Sequence, residues 1–147
     1  MITRTSCLNI TVFVLAVIAA VCALAFAEQK PAVQGSAIFD WSATPDKPAS
    51  FGSGRQFFKG PTATLVQLDV HVTTLNPGQA PHPPHQHANE ELIIVKEGTV
   101  EFLLNGEWKK AGAGSVIFVA SNQLHGLRNP GSGPATYHVI SWISHLN

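Results

Sequence analysis

Beyond residue 62 the chain is patterned in short apolar stretches broken by turn residues. Val66, Leu68, Val70 and Val72 alternate with Gln67, Asp69, His71 and Thr73. A period of two predicts a half-buried strand with His71 on its polar face. Asn76-Pro77-Gly78 turns the chain. A Pro/His-rich segment then leads into the apolar run Leu92-Ile93-Ile94-Val95, which Gly98 ends. Thr99 to Leu104 form the next strand, and Asn105-Gly106 is the dipeptide favoured in a two-residue hairpin turn. Glu107 to Lys110 pair back, followed by strands at Ser115–Ala120, His125–Asn129 and Ala135–Ile143. About eight strands with frequent turn signals and no helical stretch predict an all-β antiparallel barrel or double-sheet jelly roll. Ile93, Val95, Phe102, Phe118 and Trp142 are its expected core residues.

The first 60 residues read differently. Val12 to Ala27 are 16 consecutive apolar positions, preceded by Arg4 and closed by Ala25-Phe26-Ala27. A positive start, an apolar run and a small-x-small end describe a secretory signal peptide, so cleavage after Ala27 and a secreted or periplasmic protein are expected. An uncut anchor is the rival reading, since 16 apolar residues fall a little short of the roughly 20 that span a bilayer. Lipoprotein processing at Cys22 is disfavoured by the preceding Val21. Residues 28–60 carry Pro31, Pro45, Pro48, Gly52, Gly54 and Gly60, which break any period. Ile38-Phe39, Trp41, Phe51 and Phe57-Phe58 suggest an N-terminal arm with one or two edge strands. Residues 61–147 form the main domain, with no internal repeat.

Removing the leader changes what chemistry remains. Of nine Lys and Arg, Arg4 lies in residues 1–27, leaving eight against nine Asp and Glu, a net charge of −1. With no basic run, nucleic-acid binding and anionic-membrane binding are disfavoured. No stable membrane association is expected after cleavage. Both cysteines, Cys7 and Cys22, fall in the leader, whereas all seven His lie beyond it. The exported domain therefore has no thiolate to offer as nucleophile or metal ligand.

Three of the seven His fall within six residues, at His82, His85 and His87. In His85-x-His87-x-x-x-Glu91 the residues share one parity, so an extended chain through this stretch sets two imidazoles and a carboxylate on one face. Such groups suit a borderline or hard divalent ion. Glu90 has the opposite parity and is expected to face solvent or support the site from outside. His82 is read as a rim residue, and His71, His138 and His145 as structural or exposed.

The stretch Gly78 to Gly98, with His85, His87 and Glu91, resembles the first motif of the cupin family. Gly114 to Asn129, with His125, resembles the second. Six residues separate Gly78 from His85, one more than the family usually has, and Ala120 and Asn122 stand where it carries Pro and Gly. Asn tolerates left-handed backbone better than other non-Gly residues, so the turn survives. The resemblance implies a cupin-type double-stranded β-helix, a jelly-roll barrel holding a divalent transition metal on His85, His87, Glu91 and His125. With nitrogen and oxygen ligands and no sulfur, Mn or Fe(II) lead, with Ni, Cu or Zn as alternatives. It further implies a small organic ligand or substrate, and dioxygenase-, lyase- or isomerase-type chemistry with Glu91 as the candidate catalytic acid or base. The alternative is a non-catalytic module binding metal and a small ligand such as a sugar. A homodimer is also implied, for which the apolar face of strand 62–75 is a candidate surface.

Overall fold

The computed structural model describes residues 32–145. The expected leader, residues 1–27, with both cysteines, lies outside the described residues. The described chain is all-β: β1 (Lys47–Ala49), β2 (Gly52–Gly60), β3 (Leu65–Leu75), β4 (Glu90–Glu97), β5 (Thr99–Leu104), β6 (Glu107–Gly112), β7 (Val116–Val119), β8 (Leu127–Arg128) and β9 (Ala135–Ser144). Two antiparallel sheets result. The larger runs β1-β2-β3-β9-β4-β7 and the smaller runs β6-β5-β8. Sequence-distant strands β3 and β9 pair along almost their whole length, from Leu65↔Ser144 to Leu75↔Ala135.

Local chemistry accounts for the turns. Asn105 and Gly106 take φ of 53° and 83°, the two left-handed positions the β5–β6 hairpin requires. Asn122 takes φ 59°, so the residue standing in the family's Gly position keeps the Gly conformation. The core lies between the sheets: Ile93, Val95, Val119, Tyr137 and Val139 from the larger one meet Val100, Phe102 and Leu127 from the smaller.

Register fixes which side chains share the interior. Asp69 pairs with Ser141, which pairs with Glu91, which pairs with Val119. One step along, Gln56, His71, Val139, Ile93 and Ile117 form the next row. The inward side of β3 is therefore its polar side, with Asp69 and Thr73 buried, while Val66 and its parity mates face outward. Val72 is buried yet stands outside the core cluster.

Residues 38–41 cover part of that outer side. Phe39 packs on Phe58, and Trp41 packs on Phe57 and His138 with the Lys96 ammonium 4.1 Å from its ring centroid. Two expected core residues lie on the same outer side. Phe118 is 53% exposed, because the inward parity of β7 belongs to Ile117 and Val119. Trp142 is half-buried and donates its indole N–H to Glu90 Oε2 at 3.2 Å.

Candidate metal centre

Two chain segments that are far apart in sequence are laced together at the mouth of the interior. His85 and His125 form an isolated antiparallel bridge, each N–H donating to the other's carbonyl at 2.9 Å. A mutually bonded pair of this kind sets both side chains on one face. A few residues on, the Asn122 N–H donates to the His87 carbonyl at 2.7 Å. Gly126 lies against Pro84, leaving no ordinary room for a Cβ: its nearest neighbour would be Pro84 Cγ at 3.1 Å. Glu91, on β4, points inward from the sheet. The expected shared face is thus realised, although His85 and His87 precede β4 and reach it through loop geometry, not strand alternation.

The three imidazoles of His85, His87 and His125 have candidate ligand atoms all within 4.8 Å of one another. Ring centroids are 5.1 Å apart for His85 and His87, 4.5 Å for His85 and His125, and 4.9 Å for His87 and His125. This cluster can hold a metal ion. Glu91 reaches it with Oε1 3.2 Å from His87 Nε2 and Oε2 3.9 Å from His125 Nε2.

Hydrogen bonding decides how the ring nitrogens are used. His87 Nδ1 meets the Asn89 carbonyl at 2.9 Å, and His125 Nδ1 meets the Gln123 carbonyl at 2.8 Å. A carbonyl only accepts, so both Nδ1 atoms carry hydrogen and both neutral rings present a bare Nε2. His125 Nε2 is turned to one Glu91 oxygen at 3.9 Å, and His87 Nε2 lies 3.2 Å from the other, a contact between two acceptors that needs a positive charge. Either a proton or a metal ion supplies it. His85 Nδ1 is buried with no hydrogen-bond partner, which fits the role of a metal ligand. Burial, reinforced by the neighbouring imidazoles of His82, His125 and His87, lowers the His85 pKa to about 4. It is therefore neutral at ordinary pH, as a metal ligand must be.

The cluster opens onto a cavity of about 610 Å³. Its walls include Phe51, Ile93, Leu127 and Val139, with Tyr137 beside them and Lys47 and Arg55 on the β1–β2 side. Burial, and to a lesser degree the Glu91 charge, raise the Tyr137 pKa well above its ordinary value, so it stays a neutral hydroxyl. His82 stacks edge-on against His85 with centroids 4.1 Å apart and lines the cavity, so the expected rim residue also touches the cluster.

His71 corrects the expectation of a structural or exposed residue: it lines the cavity wall. Gln56 and Thr73 line it too and were not anticipated. The alternation in β3 displayed the parity of His71 and Thr73 but not which side was inward. Glu90 faces outward to Trp142 as expected, and His145 is exposed. His138 packs beneath Trp41 and is half-buried.

Residues 71–141 match the family model described as the Cupin domain. The described chain has the cupin-type fold. The cupin fold recurs in solved structures of dissimilar sequence. An RmlC-like cupin from Shewanella frigidimarina is 17% identical at a TM-score of 0.63, covering 78% of this chain and 96% of its own. A polyketide cyclase from Streptomyces resistomycificus is 20% identical at a TM-score of 0.60, covering 74% and 80%. The cupin domain of an XRE family transcriptional regulator from Enterobacter cloacae is 24% identical at a TM-score of 0.52, covering 60% and 92%. No curated protein matches the chain by sequence. At such identities the likeness is one of cupin fold, and the fold hosts both an enzyme and a regulator, so function must be argued from the site.

Proposed function

We propose that this chain is an exported single-domain cupin that holds one divalent transition metal on His85, His87, His125 and Glu91 and takes a small organic molecule into the adjoining cavity. The observation that carries this reading is the pair of bare Nε2 atoms, on His87 and His125, turned toward one carboxylate. The backbone carbonyls of Asn89 and Gln123 hold both rings in the ligating tautomer before any ion arrives. Mn or Fe(II) suit this nitrogen and oxygen set. A divalent ion bound there supplies Lewis acidity and open positions for oxygen ligands.

The cavity volume falls in the range of small-molecule sites, and its apolar walls exclude water around the ligand. We assign the protein to the metal-dependent enzymes of dioxygenase, lyase or isomerase type, working as a homodimer outside the cytoplasm after loss of residues 1–27. In this assignment Glu91 would help hold the ion and serve as the acid or base of the site.

Elemental analysis of the purified full chain tests the metal. About one transition metal per chain is expected, falling to a trace in His85→Ala/His87→Ala while the β-sheet circular dichroism persists. A metal-free wild type of normal stability overturns the site. Oxygen uptake and product formation over a panel of flavonols, catechols, β-diketones and ureides then test catalysis. Binding without turnover under aerobic, metal-replete conditions replaces the enzyme by a non-catalytic binding module.

A further inference from the structure

Glu91 is the one carboxylate lining the cavity among the described residues, and it is already engaged by His87 and His125. A second acid–base device stands on the opposite part of the same sheet. His71 Nδ1 lies 3.0 Å from Asp69 Oδ1. Asp69 is buried, and its carboxylate also receives Gln56 Nε2 at 2.9 Å and Lys59 Nζ at 2.9 Å. Burial would raise the Asp69 pKa, but these bonds from Gln56, Lys59 and His71 outweigh it and hold the group below its ordinary value. An ionised carboxylate only accepts, so His71 Nδ1 carries the hydrogen and Nε2 is a bare acceptor. Among the described residues Nε2 has no hydrogen-bond partner, and the ring lines the cavity with about a third of its side chain open. β9 lies between β3 and β4, so His71 stands two strands, about 10 Å, from the strand bearing Glu91.

We propose that His71, positioned by Asp69, is the proton acceptor of this cavity, taking the hydroxyl proton of a small weakly acidic enol or phenol. The proposal rests on the reading of the cavity as a small-molecule site. The O–H bond of the ligand breaks, an N–H bond forms at His71 Nε2, and the electron pair stays on the ligand oxygen. The resulting imidazolium is balanced by Asp69 through the Nδ1–H bond, as an orienting carboxylate balances a catalytic histidine. The ligand class follows from the walls. Phe51, Ile93, Tyr137 and Val139 line the cavity with apolar and aromatic surface, which suits the ring or conjugated carbon frame of such a ligand. The other titratable groups around the cavity are Lys47, Arg55, Tyr137, held neutral, His82 and the metal cluster.

The test uses 4-nitrophenol, a monodentate phenol whose absorption reports its ionisation, with the full chain as purified. Bound probe should ionise roughly one pH unit below free probe, a tenfold change in its constant. His71→Gln should bind the probe and lose the shift, and Asp69→Asn should lose most of it. Phe118→Ala, on the outer face of β7, should keep it. A shift that survives His71→Gln, or that disappears only with the cluster histidines, overturns the assignment, and absence of probe binding overturns the ligand class. Nitrogen NMR of wild-type His71 needs no variant: a hydrogen on Nδ1 is expected, and one on Nε2 refutes the dyad. A retained shift in protein without metal leaves His71 standing while the metal reading falls. Bound metal with no His71-dependent shift does the reverse.

Discussion

A single hydrogen bond sets the tautomer of three histidines. His87 and His125 give their Nδ1 hydrogens to backbone carbonyls, and His71 gives its own to Asp69. In every case the other nitrogen becomes the working atom. Asp69 is the more exposed to acid of these supports, because its carboxylate is stabilised in the fold by three donors. Its folded pKa is depressed, so its contribution to stability is present above the unfolded value and disappears as pH falls through the folded one. Urea unfolding should therefore show Asp69→Asn less stable than wild type near neutrality. The difference should narrow as pH falls below about 4, the ordinary aspartate value, and vanish only below the depressed folded one. A difference that does not change with pH would mean that packing, not charge, holds Asp69 in place.

Strand parity governs what each element contributes. In β4 the odd positions Glu91, Ile93 and Val95 face inward and meet Ser141, Val139 and Tyr137 of β9. In β7 the inward set is Ile117 and Val119, which leaves Phe118 outside although it is the largest apolar residue of that strand. Phe118→Ala should accordingly change stability by no more than about 0.5 kcal/mol. Phe102→Ala, emptying a core position on β5, should cost about 3–5 kcal/mol. Guanidinium unfolding of the two variants checks both figures, and equal costs would contradict the assigned faces. β3 shows the same rule in the opposite sense. Asp69, His71 and Thr73 are inside because the space they face is a polar-edged cavity, and Val66, Leu68 and Val70 are outside, where Phe39 and Trp41 lie against the neighbouring strand and β9.

At the scale of the whole domain, the histidine cluster borders the cavity where the His85–His125 bridge joins the segment before β4 to the segment before β8. An ion bound only in the folded state stabilises it by mass action, about 2.7 kcal/mol at a hundredfold excess over Kd. Thermal unfolding of chelator-treated protein should move up by several degrees on addition of Mn(II), and His85→Ala/His87→Ala should show no such change. An identical response in that variant would place the ion elsewhere. Much of this was legible in the chain itself. The spacing of His85, His87, Glu91 and His125, the Asn105-Gly106 hairpin and the alternation of β3 are local properties, because turn chemistry and side-chain parity act over a few residues. His71 and Asp69 were not legible as cavity groups, nor Phe118 as a surface residue. A period of two separates the faces of a strand without saying which is covered, and that depends on long-range neighbours. The sequence by itself determined an all-β chain with a set of metal-type ligands. Only the tertiary structure decided which faces turned inward, since the strands beside β3 and the sheet opposite it come from distant parts of the chain.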